Sequence, residues 1–286
     1  MFIDVHGHIG RTGANAKRSE QVDATTLIRN MDILKIEKTC VLPLSDSPEG
    51  WYLKSTTEDI ITACSEYPRR LIPFCLIDPR FGDDSPETDF SDLLEEYKER
   101  GCVGMGEMVA NMEFDDPRVL NLCRQAGNAK LPVLFDLNAN IHWYGIRDDP
   151  GLPRLEKALQ LCPKTIFIGH GPTFWAGISG DGELHGYPKG SVKPGGAVPR
   201  LMKKYHNLWA DLSAGSGYNA ITRDTQFGLE FLDQFCEKLL FGTDTCLPYE
   251  DAPIAHYIEK IRQEKKLSEN NFRKIVKDNA ISLLGL

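Results

Sequence analysis

Eight short apolar runs recur along the chain, each giving way to polar, turn-forming residues: Phe2–His8, Thr39–Leu44, Leu71–Ile77, Cys102–Val109, Leu131–Leu137, Thr165–His170, Leu208–Ser213 and Leu239–Asp244. Between most of them lie segments with apolar positions at helical spacing, among them Thr25–Lys35, Glu58–Glu66, Phe90–Arg100, Pro117–Ala129, Arg154–Leu161 and Ala197–Lys204. Strands that alternate with helices predict a parallel sheet. Eight such units in about 250 residues predict a single-domain α/β fold, the (β/α)8 TIM barrel. The competing arrangement, an open doubly wound sheet, usually places a glycine-rich phosphate turn after its first strand. Here that place is held by His6-Gly7-His8.

The chain has 286 residues, and no linker splits it. One long irregular insertion, Gly171–Gly196, follows the sixth run and carries eight glycines and three prolines. A loop of that length in a compact domain is usually a lid or binding loop, and Phe174, Trp175 and Tyr187 predict an ordered lid. Leu267–Leu286 reads as an amphipathic helix packed on the barrel.

Composition narrows the chemistry. The net charge is -8 with no basic stretch to offset it, which argues against a nucleic-acid partner. No apolar stretch approaches transmembrane length, and the first strand begins without a basic, apolar leader, so no membrane partner and a cytoplasmic location are expected. The eight cysteines form no Cys-x-x-Cys pair and several lie inside apolar runs, which predicts reduced, buried thiols.

In a strand, alternate side chains share a face, so His6 and His8 point the same way. Further ligand-type residues end other runs: Glu107 the fourth, Asp136 the fifth, His170 the sixth and Asp244 the eighth. In a barrel all strand C-termini emerge at one face, which carries the active site. Each residue has a dull alternative, since an acid after a strand often caps the next helix. Together they predict a divalent-metal site, because clustered carboxylates repel one another in a low-dielectric pocket unless a cation offsets them. Asp4 shares the parity of His6 one layer deeper, where a buried carboxylate needs a partner. It is expected to bond backbone or support a ligand.

The set His6-x-His8, Gly169-His170-Gly171 and Gly242-Thr243-Asp244 resembles the amidohydrolase superfamily. The similarity is nearest to its amidohydrolase-2 branch, which includes aminocarboxymuconate-semialdehyde decarboxylase. The resemblance spans the chain, down to the C-terminal Asn279-Ala280-x-x-Leu283-Leu284-Gly285-Leu286. It implies one or two divalent ions at the C-terminal barrel face, with His6, His8 and Asp244 on the first ion. It further implies that Asp244 takes a proton from water and that Glu107 can bridge two ions. The family usually carries histidine on the fifth strand, where this chain has Asp136. His142, in the following loop, is the alternative source of that imidazole. Zinc is the expected ion, with manganese or iron as alternatives that an oxygen-rich shell favours.

The leading expectation is metal-assisted hydrolysis of a small polar or anionic metabolite, with Asp244 and His170 as catalytic residues. The alternatives on the same scaffold are a decarboxylase, a lactonase, or a binding module that has lost its metal. Arg11, Lys189, Lys193 and Arg223 are candidates to grip a carboxylate or phosphate. Trp175, Trp143, Tyr144 and Tyr218 are candidates to stack on a ring. A homo-oligomer is compatible with the sequence.

Overall fold

The first apolar run becomes strand β1 (Phe2–Gly7), buried along its whole length. Its neighbours follow the order of the runs. In the computed structural model, which describes all residues except 13–20, 52, 139–143, 184–185 and 249–250 and the side chains of Arg11, Thr12 and Gln21, the strands in chain order are as follows. After β1 come β2 (Gly10–Thr12), β3 (Gln21–Val22), β4 (Ile36–Val41), β5 (Leu53–Lys54) and β6 (Leu71–Pro73). Then come β7 (Met105–Met108), β8 (Val133–Asp136), β9 (Phe167–His170), β10 (Leu208–Asp211) and β11 (Leu239–Leu240).

Two parallel sheets, β1-β4-β6 and β11-β10-β9-β8-β7, carry the eight expected runs in sequence. Parallel bridges join them at both seams, Cys75 to Met105 and Gly7 to Thr245. The seams are also hydrogen-bonded: Gly106 N–H donates to the Cys75 carbonyl at 2.8 Å and Val5 N–H to the Phe241 carbonyl at 2.9 Å. The eight strands thus form the α/β barrel that the runs predict. The eighth pairs with β10 over only two residues, shorter than its run; on its other side Phe241 gives its carbonyl to Val5 and its N–H to the Ile275 carbonyl of the C-terminal segment. An antiparallel sheet, β3-β2-β5, lies outside the barrel and is not foreshadowed by any run.

Helices start where the sequence supplies caps. Asp23 accepts the Thr26 N–H at the start of α1 (Ala24–Leu34), and Thr56 with Asp59 makes a capping box on α2 (Thr57–Glu66). α3 (Ser91–Glu99), α4 (Pro117–Asn128) and α5 (Pro153–Leu161) fall on the expected segments, the last two with proline in the first turn. Helix α6 (Pro172–Ala176) lies within the segment expected to be irregular. α7 (Ala197–Lys204), α8 (Ala214–Thr222), α9 (Thr225–Gln234) and α10 (Pro253–Gln263) follow. The tail is not one helix: α11 (Glu269–Arg273) and α12 (Asn279–Leu284) flank a π turn at Lys274–Asp278.

The apolar interior has two main layers. Ile3, Val5, Cys40, Leu42, Ile72, Phe74, Leu134, Ile168 and Leu240 pack together inside the strands, closed by Ala280 and Leu284 of α12. A larger layer lies between strands and helices. Seven of the eight cysteines are buried as free thiols. No helix among the described residues is long and apolar enough to cross a membrane.

Candidate metal centre

The strand ends bring His6, His8, Glu107, Asp136, His170 and Asp244 together. β1 presents both histidines on one face. His6 Nδ1 donates to Asp211 Oδ2 at 2.7 Å, and His8 Nδ1 donates to the Leu42 carbonyl at 2.9 Å. A carbonyl can only accept, so the lone pair of His8 is on Nε2, and the Asp211 bond puts that of His6 on Nε2 as well. The two Nε2 atoms face each other at 3.0 Å. Two lone pairs at that distance would repel, so either a proton on His6, bridging to His8, or a metal ion must lie between them.

Carboxylates complete the shell. Glu107 Oε2 lies 3.5 Å from both Nε2 atoms, and Asp244 Oδ1 lies 3.5 Å from His6 Nε2 and 3.2 Å from His8 Nε2. Donors about 2.1 Å from one ion stand about 3.4 Å apart in a tetrahedron and about 3.0 Å apart in an octahedron. These edges therefore match a shell around a single ion. A second donor group, Glu107, Asp136 and His170, sits alongside. Glu107 Oε1 is 3.7 Å from His170 Nε2, and Asp244 Oδ2 is 3.8 Å from the same nitrogen. Two buried oxygens, Glu107 Oε2 and Asp136 Oδ1, have no hydrogen-bond partner. Orphaned carboxylate oxygens in a buried N/O donor set fit a hard or borderline divalent ion.

Burial and charge compete at every position. Burial raises Asp136, the Glu107 charge adds to it, and its carboxyl lies well above the usual range. Burial also raises Asp244, but His6, His8 and His170 outweigh it and hold the carboxyl at about 2. Burial and His6 oppose charge on His170, yet Asp211 and Glu107 lift it to about 9. His6 is buried too, and Asp244, Asp211 and Glu107 raise it well above an ordinary imidazole. The side chain of Asp244 is 22% exposed, against 2% for Glu107 and 0% for both β1 histidines. Asp244 is thus the open member of the cluster. It adopts φ 58, and its N–H is held by the His6 carbonyl at 2.7 Å. It borders a cavity of about 190 Å³ shared with Tyr187, Gly215, Thr243 and Asp251.

Asp4 takes the backbone-bonding place expected of it: Oδ1 accepts the N–H groups of His6 and Thr243, each at 3.0 Å, and Oδ2 accepts the Thr243 hydroxyl at 2.8 Å. Two buried residues escape the sequence reading, Asp211 and Ser213. Asp211 Oδ2 also accepts from His170 Nδ1 at 3.1 Å and from Ser213 Oγ at 2.6 Å, while Oδ1 accepts the Ser213 N–H at 2.9 Å. The available signal is an acid near the end of the seventh run.

The substrate-binding candidates are more scattered. Trp175 is placed differently from expectation. It is 2% exposed, donates its indole N–H to the Asp211 carbonyl at 3.0 Å and packs edge-on against Phe174 and Phe231, because α6 turns its ring into the core. Arg223 caps the far end of α8, eight residues and so about 12 Å from Gly215. Its Nε and Nη2 are buried without a partner. Lys189 and Lys193 are exposed. Their loop is anchored where the Lys193 N–H meets Ser179 Oγ at 2.9 Å, and its Tyr187 reaches the cavity. Tyr144 is partly buried, and Tyr218 packs edge-on to Tyr257. The side chain of Arg11, together with His142 and Trp143, lies outside the described residues.

The amidohydrolase family model, of the amidohydrolase-2 branch, matches residues 54–286, and the chain belongs to that family. His6 and His8 lie ahead of the matched segment. No curated protein matches the sequence significantly. Three solved structures share the fold over essentially their whole length. A probable 2-pyrone-4,6-dicarboxylic acid hydrolase from Acinetobacter baumannii, with citric acid bound, is 16% identical with a TM-score of 0.61, covering 100% of this chain and 99% of that one. A dihydroxybenzoic acid decarboxylase from Polaromonas sp. JS666, with manganese and the inhibitor 2-nitroresorcinol, is 17% identical with a TM-score of 0.62, covering 100% and 97%. An amidohydrolase from Burkholderia multivorans with bound HEPES is 12% identical with a TM-score of 0.68, covering 100% and 99%. The protein is a metal-dependent enzyme of the amidohydrolase type on a TIM barrel.

Proposed function

We propose that the protein hydrolyses a small polar or anionic metabolite, with one or two divalent ions, zinc or alternatively manganese or iron, held by His6, His8, Glu107, Asp136, His170 and Asp244. The observation that carries the reading is Glu107, whose Oε2 faces the β1 histidines while Oε1 faces His170. A carboxylate that addresses two donor sets suits a bridged pair of ions, an arrangement typical of hydrolytic sites. When bound, such an ion lowers the pKa of water from about 16 toward about 7.

The chain's own groups then divide the work. Asp244, ionised and open to the cavity, is placed to accept the proton of the attacking water and return it to the leaving group. His170 turns its Nδ1 to Asp211 and Ser213 and aims Nε2 at Glu107 and Asp244, so it serves as a donor to the ion or polarises the scissile bond. The small cavity beside Asp244 suits a small substrate. Lys189 and Lys193 on the anchored loop supply cations for an acidic group, and the buried guanidinium edge of Arg223 is a further candidate grip.

A second reading, carbon–carbon lyase, draws on the manganese-containing decarboxylase that shares the fold. One experiment separates the two. The zinc- and manganese-loaded enzyme is offered a panel of lactones, amides and aromatic carboxylic acids, and products are followed by mass spectrometry. Addition of water supports the hydrolase; release of carbon dioxide without addition of water overturns it in favour of the lyase.

A further inference from the structure

We infer that Asp211 is a positioning residue that fixes the ring orientation and tautomer of His6 and His170 at once, and so ties the two donor sets together. The inference rests on the metal-site reading and adds a residue to it. Asp211 ends β10 and meets the ring edges that face away from the ion positions. Its Oδ2 meets His6 Nδ1 at 2.7 Å, His170 Nδ1 at 3.1 Å and Ser213 Oγ at 2.6 Å. Oδ1 is held by the Ser213 N–H, so the carboxylate cannot rotate away without breaking a buried bond.

The geometry keeps Asp211 out of the ion shell at the Nε2 edges. Asp211 touches the Nδ1 edges of both rings, whereas Glu107 and Asp244 meet their Nε2 edges. One imidazole cannot offer a single ion both edges. A carboxylate that accepts at Nδ1 forces the proton there and leaves the lone pair on Nε2, where the ion shell lies. His8 reaches the same state independently through the Leu42 carbonyl. The β1 pair therefore has two different supports, and only one of them also serves the second donor set.

An Asp211→Asn variant keeps one acceptor oxygen where the carboxylate has two and loses the charge. It cannot serve the Ser213 N–H and the two ring N–H groups together, and the ring bonds weaken or are lost. The test uses zinc-loaded protein with 15N-labelled histidine. Parent protein is expected to show slowly exchanging Nδ1–H signals for His6, His8 and His170. Asp211→Asn should lose or shift those of His6 and His170 and keep that of His8. It should also weaken zinc binding about 10- to 100-fold in chelator competition, the usual cost of losing such a partner. Ser213→Ala keeps the carboxylate but removes a hydroxyl 3.1 Å from His170 Nδ1 and 3.3 Å from His6 Nδ1. All three signals should persist, and loss of the His170 signal in this variant would move the positioning role to Ser213 and overturn the inference.

Parent protein with no Nδ1–H on His6 or His170 overturns the inference even if the Asn variant fails to fold. So does an Asn variant with unchanged signals and zinc affinity. Parent protein that takes up no zinc overturns the metal reading and this inference together, whereas normal uptake with an unaffected Asn variant overturns this one alone.

Discussion

The carboxylate of Asp136 is wedged against the backbone of Gly171: a Cβ at that glycine would sit 2.8 Å from Asp136 Oδ1. Gly145 closes the other side, with its would-be Cβ 2.6 Å from the same oxygen. Asp136 Oδ1 is nevertheless without a hydrogen bond. An aspartate after a strand commonly bonds its own loop; this oxygen does not. We therefore expect Asp136 to contact an ion directly or through water, with Glu107 near both ions. Asp136→His should shift metal preference toward zinc, the softer donor favouring the softer ion. Competition between zinc and manganese, read by elemental analysis, checks it, and an unchanged preference would count against a ligand role.

Asp244 supplies the second prediction. Its carboxyl is ionised at neutral pH, partly exposed and adjacent to the cavity. Asp244→Asn should keep the fold and lose activity by about a hundredfold or more, as for removal of a general base. Metal affinity should also fall, since Oδ1 faces both β1 histidines. Turnover at the parent rate would reduce Asp244 to a loop acid.

Much of this centre was legible because barrel strands end at one face, so chemistry placed at strand ends converges whatever the loops do. His6 and His8 follow from strand parity, and His170 and Asp244 from their runs. Asp211 escapes the strand-end pattern because the seventh run continues past it to Ser213. Trp175 departs from expectation for a different reason. Gly171-Pro172 announces a helix start, but nothing local says which way a five-residue helix turns its rings. The strands β2, β3 and β5 are two or three residues long, too short to carry a period.

The position of Trp175 gives a third prediction. Its indole bonds the main-chain carbonyl of Asp211 and its ring fills the layer between strands and helices. Trp175→Phe removes the donor and some volume, and should lower stability by about 1–3 kcal/mol. If the ring has no contact with substrate, KM should stay within about twofold. A melting curve and steady-state kinetics together test this. A large rise in KM at parent stability would restore the stacking role.

The last prediction concerns pH, and two groups set its sign. In the metal-free protein His170 holds its proton up to about pH 9, against an ordinary value of 6.5. Asp4, raised chiefly by burial, holds its proton up to about pH 7, against 3.8. For each, the folded form binds the proton more tightly than the unfolded chain does. The resulting stabilisation is fully present below the unfolded pKa and is lost as pH rises through the folded one. Metal-free protein should therefore melt at progressively lower temperature between pH 6.5 and 9. Metal uptake runs the other way, because an imidazole must shed its proton to ligate. Each proton displaced costs about tenfold in affinity per pH unit below the pKa of the group that sheds it, so zinc binding should tighten from pH 7 to 9. Calorimetry in buffers of different ionisation enthalpy should register proton release at pH 7. A metal affinity flat between pH 7 and 9, or a metal-free melting temperature that rises over the same range, would refute the protonated resting state of the centre.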